Sequence, residues 1–126
     1  MRLVLDAGAF LSVERADRTT AALLKRELLA RRVPVTHGGV IAQVWRGGAG
    51  RQAKLSGLLS AVEVVPLGDH LGRRAGALLG KARKTDAIDA AVVLLAMDGD
   101  VILTSDSGDL RSLAVAASVH VDIVPV

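Results

Sequence analysis

Residues Val101-Ile102-Leu103-Thr104-Ser105-Asp106 form a short apolar run that ends in a carboxylate, and residues Leu3-Val4-Leu5-Asp6 have the same form. Short aliphatic runs of this kind are typical of buried strands. In an open α/β sheet, ligands bind outside the carboxyl ends of the strands. We therefore expect the aspartates that end these two runs to lie at the same edge of one sheet and to share a site.

Strand-like and helix-like segments alternate along the rest of the chain. The predicted strands are residues 2–5, 33–36, 62–65, the run that starts at Val101, and 120–124. The predicted helices are residues 17–32, 40–46, 51–60, 67–83, 86–96 and 110–117. Because helices that alternate with strands imply a parallel sheet covered on both faces, the predicted fold class is α/β with three layers. No linker or repeat divides residues 1–126, which are expected to form a single domain.

One predicted helix has an unusual glycine pattern. Gly72, Gly76 and Gly80 recur every four residues within helix 67–83. Glycine lowers the stability of a helix interior, so such a repeat usually has a packing reason. We expect these glycines to admit a closely packed neighbouring backbone.

The composition excludes several classes of protein. Hydrophobic residues make up 51% of the chain and aromatic residues only 2%, so the core must be aliphatic. No stretch approaches the roughly 18 apolar residues of a membrane span, and Asp6 interrupts the only segment that resembles a signal peptide. Without cysteine there are no disulfides or thiolate metal sites. We expect a cytoplasmic protein without membrane association, and its net charge of +3 favours an anionic partner such as nucleic acid.

A third aspartate, Asp86, opens the apolar helix at residues 86–96. Each of the three aspartates also fits a helix N-cap, a position that aspartate favours. Asp89 and Asp109 follow Asp86 and Asp106 by three residues, a spacing that places each pair on one helix face. Like charges about 4 Å apart repel by roughly 4 kcal/mol at an effective dielectric constant near 20, so a convergent cluster needs a neutralising cation or protonated members. Oxygen ligands without cysteine favour Mg²⁺ or Mn²⁺ over structural zinc.

These residues together resemble the motifs of PIN-domain ribonucleases, and within them the VapC toxins of bacterial toxin–antitoxin pairs. The resemblance rests on Leu5-Asp6 in the first strand, on residues 85–90 (Thr-Asp-Ala-Ile-Asp-Ala) and on residues 103–110 (Leu-Thr-Ser-Asp-Ser-Gly-Asp-Leu). It spans essentially the whole chain, and the order of the motifs is more specific than any one of them. It implies a PIN-like fold, a divalent-metal site, endonucleolytic cleavage of RNA by metal-activated water, a cognate antitoxin that blocks the toxin, and commonly a homodimer.

The resemblance also implies a role for each carboxylate. Asp6, Asp86 and Asp106 are the implied catalytic residues and ligands of one or two Mg²⁺ or Mn²⁺ ions. Asp89 and Asp109 are further metal ligands or hold water. A bound divalent cation lowers the pKa of water and stabilises charge on the phosphate, which is the chemistry that phosphodiester hydrolysis requires.

The chain departs from the family pattern at Gln43. PIN-domain ribonucleases usually have a glutamate at this position of the helix predicted at 40–46. An amide can hold a metal-bound water but adds no negative charge, so we expect weak Mg²⁺ affinity. A catalytically weak or inactive PIN-like module that binds RNA or an antitoxin is therefore the alternative. A receiver-like domain ranks third, because the acidic pair and the late lysine that it requires are missing.

Several other residues are candidates for substrate contacts. Arg46, Arg51 and Arg15 are candidate ligands of RNA phosphates, although each also fits a solvated helix end. Trp45 can stack on a base, but a buried position in the core or in a dimer interface is favoured. His37 follows a predicted strand, and a loop position outside the site is favoured for it.

Overall fold

The computed structural model describes the whole chain except Ala49 and Arg51. The described residues form five strands, β1 to β5 in chain order: Leu3–Leu5, Val35–His37, Glu63–Val65, Val101–Thr104 and Asp122–Pro125. They form seven helices, α1 to α7: Ala7–Glu14, Arg18–Leu29, Gly38–Val44, Ala53–Leu59, Asp69–Ala82, Ala87–Leu95 and Ser107–Ala116. The predicted α/β class, with helices flanking a parallel sheet, is confirmed.

The strands form one parallel sheet in the order β3-β2-β1-β4-β5. The central strand β1 pairs with β4 so that Leu5 lies opposite Leu103. The chain builds the sheet outward from β1 through β2 to β3, and then on the other side from β4 to β5. The order therefore reverses between β1 and β4, and a crevice forms outside the carboxyl ends of strands at such a switch point. Asp6 and Asp106 follow these two strands.

Two groups of helices cover the sheet. Helix α1 packs against α2, α3 and α4, whereas α5, α6 and α7 pack against one another. Because crossovers between parallel strands are right-handed, the two groups lie on opposite faces. Leu5, Ile102 and Leu103 of the central strands are fully buried, and the core is aliphatic as predicted. In the described part of the chain, no helix combines the length and the apolar character needed to cross a membrane.

Helix α1 is the element that the sequence pattern did not indicate. Half of its eight residues are buried, so the polar face that marks a surface helix is missing. Gly8 allows the helix to approach the loop after β4, because a Cβ at this position would lie 2.6 Å from the backbone nitrogen of Ser105. The first turn of α1 therefore packs directly against the polypeptide that leads to Asp106.

Other boundaries differ from the predicted ones by a few residues. The second strand runs from Val35 to His37 rather than over 33–36, so Pro34 lies just before the strand, where its missing N–H removes no hydrogen bond from the sheet. The last strand is Asp122–Pro125 rather than 120–124. Helix α7 begins at Ser107, three residues before the predicted start, because it follows Asp106 directly.

The glycine repeat of α5 does not admit a neighbouring backbone. A Cβ at Gly72, Gly76 or Gly80 would meet nothing within 4 Å. The buried face of the helix is formed instead by residues such as Leu71 and Leu78. The four-residue spacing does keep the glycines on one side of the helix, but that side is open. The prediction of a close neighbour is therefore wrong.

We expect Gly76→Ala to stabilise the protein. Alanine at an open helical position removes backbone freedom from the unfolded chain without a clash, which increases the free energy of unfolding by about 0.5–1 kcal/mol. Urea denaturation measures this change. Gly8→Ala is the matched control and should destabilise the protein, because its Cβ has no room. A destabilised Gly76→Ala variant would contradict the prediction and indicate that another molecule covers this face.

Candidate functional site

Asp6 connects the end of β1 to the start of α1. The residue is only 7% exposed, and its two carboxylate oxygens have different partners. Oδ1 accepts a hydrogen bond from the backbone N–H of Ala7 at 2.8 Å, and Oδ2 accepts one from the hydroxyl of Thr104 at 2.8 Å. Asp6 is therefore the N-cap of α1, as its sequence position allowed. Since a carboxylate has about four acceptor sites, both oxygens can still bind another partner.

Thr104 links the two central strands at this edge of the sheet. Its buried hydroxyl donates to Asp6 and accepts a hydrogen bond from the backbone N–H of Asp106 at 3.0 Å. Thr104 thus holds Asp6 and the backbone of Asp106 together. The sequence analysis did not identify Thr104. A signal existed, because this hydroxyl residue directly follows the aliphatic residues Val101–Leu103.

Asp86 and Asp106 begin the helices α6 and α7. Asp86 is exposed, and its Oδ1 accepts a hydrogen bond from the backbone N–H of Asp89 at 3.0 Å. Asp106 is also exposed, but its side chain makes no capping hydrogen bond. The N-cap explanation therefore holds for Asp86 and fails for Asp106.

Asp89 is subject to the charges of the other four aspartates. Its pKa is raised from 3.8 to about 7, first by burial and then by the negative charges of Asp86, Asp6, Asp106 and Asp109. The structure thus brings these five carboxyl groups into one electrostatic neighbourhood, although they come from three separate parts of the chain. In the described ranges, however, no three His, Asp or Glu side chains are grouped closely enough to hold one ion as they stand. Metal binding at this edge stays a prediction.

His37 supports the site from inside the fold. It is fully buried at the end of β2, where its Nδ1 accepts a hydrogen bond from the N–H of Gly39 at 3.0 Å. Nε2 must then carry the proton and donate to the carbonyl of Ile88, 3.0 Å away. Burial lowers the pKa of His37, and the Ile88 hydrogen bond and the charge of Asp6 oppose this effect only in part. Neutral His37 therefore ties β2 to the first turn of α6, and the expected loop position is wrong.

Gln43 and Glu14 have very different surroundings. Gln43 is exposed on α3, and its amide makes no hydrogen bond with any described residue. Glu14 ends α1, roughly 12 Å along the helix from Asp6 at a rise of 1.5 Å per residue. Its carboxylate accepts a hydrogen bond from the buried amide of Gln52 at 3.3 Å. Glu14 therefore lies at the opposite end of α1 from the acidic cluster.

The structure does not place the arginines predicted to contact RNA beside the carboxylates. Arg15 follows α1 at the end remote from Asp6. Arg46 uses Nη1 to donate to two carbonyls at the end of α3, which matches the helix-end explanation. Arg51 lies outside the described residues. Trp45 is 42% exposed, so it does not lie in the core, and its burial in a dimer interface stays a prediction.

Lys84 is a cation at the acidic cluster that was missed in the sequence. Its Nζ lies 3.2 Å from Oδ1 of Asp109. The side chains of Lys84 and Asp109 are 34% and 52% exposed, so the pair lies at the surface of the site. Lys84 stands two residues before Asp86, and this proximity was the available signal.

A solved structure has a similar fold. No family model matches the sequence, and no curated protein is detectably similar to it. The chain is similar in structure to a chain of the crystal structure of VapBC2 from Rickettsia felis bound to a DNA fragment from their promoter. The TM-score is 0.71 at 14% sequence identity, and the match covers 98% of this chain and 99% of the other. The chain has a PIN-like fold. At this low identity the likeness establishes the fold alone.

In this PIN-like fold, the five aspartates reach one edge by different routes. Asp6 is carried by the central strand β1 and Asp106 by its neighbour β4. Asp86 and Asp89 belong to the first turn of α6, which His37 holds against β2. The site is therefore built by strand order and by helix docking, and not by a local cluster of residues in the sequence.

The raised pKa of Asp89 predicts a pH-dependent stability for the metal-free protein. A carboxyl group with a higher pKa in the folded state stabilises the fold fully below pH 3.8, and this contribution is lost as the pH rises to about 7. Asp89→Asn should therefore be more stable than the parent at pH 8. Because Asp89 is only partly buried, solvent screening reduces the gain to about 1–2 kcal/mol.

Denaturation of both proteins in EDTA at pH 4 and pH 8 measures this difference. Asp122→Asn, at an exposed position of the edge strand β5, is the control and should show no such dependence on pH. Equal stability of Asp89→Asn and the parent at pH 8 would contradict the prediction.

Proposed function

We propose that the chain is a Mg²⁺- or Mn²⁺-dependent endoribonuclease that acts as the toxin of a toxin–antitoxin pair. The observation that carries this proposal is the gathering of five aspartates outside the β1–β4 switch point, where open α/β sheets bind their ligands. The resemblance of the acidic motifs to VapC toxins supports it. The likeness of the fold to a VapBC2 structure is also consistent with it.

The donor set fits a hard divalent cation. The candidate ligands are carboxylate oxygens, which Mg²⁺ and Mn²⁺ prefer. Burial raises the pKa of Asp89 most, and the charges of the other four aspartates raise it further, so a cation would offset part of this repulsion. Asp6, Asp86 and Asp106 would hold the ion, directly or through water, with Asp89 and Asp109 nearby. The bound ion would activate water and stabilise the charge that develops on the phosphodiester.

The other residues of the chain position this donor set. The hydrogen bonds from Ala7 and Thr104 hold the Asp6 carboxylate in one orientation. The carboxylate of Asp106 has no capping role and is free to turn toward a ligand. Neutral His37 keeps the first turn of α6, and with it Asp86, close to the end of β2. Such preorganisation lowers the cost of assembling the site when the substrate binds.

Gln43 favours a second candidate function. Gln43 is exposed on α3, the helix that directly follows β2, and its amide adds no negative charge. A module that binds RNA or an antitoxin with little or no cleavage would need no charge at this position. Activity of the purified protein distinguishes the two functions.

An apolar groove is the proposed binding surface for the antitoxin. A cavity of about 320 Å³ lies between α2 and the neighbouring helices and is lined by Val13, Leu24, Leu28, Leu29 and Leu58 among others. Leu29 is 76% exposed, and together with the other lining residues it forms a contiguous apolar surface. An amphipathic helix of the antitoxin would fit such a groove. The expected homodimer and the cytoplasmic location stay predictions.

We expect the purified protein to cleave RNA when Mn²⁺ or Mg²⁺ is added. EDTA should abolish cleavage, and Asp6→Asn should reduce the rate by at least about 100-fold, because one of the central ligands loses its charge. Gel analysis of a broad set of cellular RNAs measures activity. The midpoint of thermal unfolding at pH 8 should also rise with Mn²⁺ in the parent and not in Asp6→Asn.

Gln43→Glu tests the alternative directly. The added carboxylate should increase metal affinity and cleavage relative to the parent. If neither the parent nor Gln43→Glu cleaves any RNA, the nuclease proposal is wrong and the binding module is favoured. Cleavage that persists in Asp6→Asn would indicate a contaminating nuclease.

If the antitoxin binds in the groove, a charge introduced there should abolish its binding. The candidate antitoxin is the product of a small reading frame next to the gene of this chain. Leu29→Asp should abolish co-purification of the two proteins, because a charge in the groove opposes burial of an apolar helix face. Val115→Asp is the matched control, since Val115 is 80% exposed on α7 outside the groove. Equal effects of both variants would contradict the assignment of the groove.

A further inference from the structure

The negative charge of the proposed site repels the phosphates of an RNA substrate. Five aspartates lie in one neighbourhood, and a nucleic acid brings further negative charge at every phosphate. A cation at the rim of the site is needed to hold the backbone of the substrate near the carboxylates. Of the described arginines that the sequence suggested, Arg15 lies at the remote end of α1, and Arg46 donates from Nη1 to carbonyls at the end of α3.

Lys84 places a positive charge beside these aspartates. Within the described chain, it is the one lysine or arginine that forms an ion pair with any of the five aspartates. Its ammonium lies 3.2 Å from Asp109, whose charge is among those that raise the pKa of Asp89. The Lys84 side chain is 34% exposed, so one side of the cation faces solvent while the other faces the carboxylate.

The backbone holds Lys84 in this place. Helix α5 ends with Arg83 in the left-handed conformation, at φ 56° and ψ 46°. The N–H groups of Arg83 and Lys84 both point to the carbonyl of Leu79, with Lys84 at 3.1 Å. This closure of the helix end sets the direction of the chain just before Asp86. Lys84 is therefore positioned by a helix cap and not by a long loop.

A purely structural role explains Lys84 poorly. Ion pairs between exposed side chains contribute little to stability, because water and salt screen them. The Lys84–Asp109 pair is of this exposed kind. A lysine at the mouth of an acidic site is better explained by a ligand with negative charge, and lysine acts toward phosphate as a point charge without base preference.

We propose that Lys84 is a substrate-binding residue whose ammonium binds a backbone phosphate of single-stranded RNA at the mouth of the acidic site. Asp109 holds the ammonium in place in the free protein. The exposed neighbours Lys81 and Arg83 extend the same cationic rim along the end of α5. This inference rests on the proposed nuclease function and names a contact that the metal site alone does not provide.

RNA binding in the absence of metal tests this contact separately from cleavage. The probe is a fluorescein-labelled single-stranded RNA of about twelve nucleotides, titrated with full-length protein in EDTA at several salt concentrations. Lys84→Gln should weaken binding by about three- to tenfold and reduce the slope of log affinity against log salt by about 0.7, as expected for one lost phosphate contact on a single strand. Lys84→Arg should restore both values.

Lys54→Gln is the control, because Lys54 is exposed on α4, two residues after the Gln52 that contacts Glu14 at the remote end of α1. This variant should leave affinity and slope unchanged. Unchanged binding by Lys84→Gln, an equal effect of Lys54→Gln, or a parent that does not bind the RNA would overturn the inference. Failure of the nuclease proposal is seen separately as absence of metal-dependent cleavage by the parent, so the two failures are distinguishable.

Discussion

The buried carboxylate of Asp6 constrains the whole molecule. A charge removed from water destabilises a fold by several kcal/mol unless hydrogen-bond donors surround it. Asp6 obtains one donor from Ala7, which requires α1 to begin directly after β1. It obtains the other from Thr104, which requires β4 to lie beside β1 in the observed register. The Asp6 side chain therefore depends both on the local cap of α1 and on the long-range pairing of β1 with β4.

The same constraint makes the acidic edge possible. Because β1 and β4 are neighbours, Asp6 and Asp106 lie at the same crevice. Helix α6, on the sheet face opposite α1, adds Asp86 and Asp89. Burial of Asp89 and, after it, repulsion by the other aspartates raise its pKa, and both effects work against folding at neutral pH. Buried hydrogen bonds at His37 and Thr104 keep the elements together despite this repulsion. Natural proteins accept such local conflict mainly at functional sites.

Much of the fold and of the site was predictable, and the errors have a common origin. The strands and the α/β class follow from local patterns that the structure reproduces, and the positions of Asp6 and Asp106 follow from the strands that precede them. Helix α1 was missed because it is buried on several sides and lacks a polar face. The fold does not bury Trp45 in the core, and it places no neighbour against the glycines of α5. In each case local sequence indicates what a residue prefers, but not which surface another element will cover.

The sequence by itself determined the alternation of strands and helices, the aliphatic core and the aspartates that end strands or begin helices. These features depend on contacts between residues close in the chain or on simple burial. Only the tertiary structure decided that Thr104 satisfies Asp6, that His37 reaches Ile88, and that Lys84 pairs with Asp109. The residues of these pairs are 98, 51 and 25 positions apart, respectively. Such partners are selected by strand order and helix docking, for which no local propensity carries a signal.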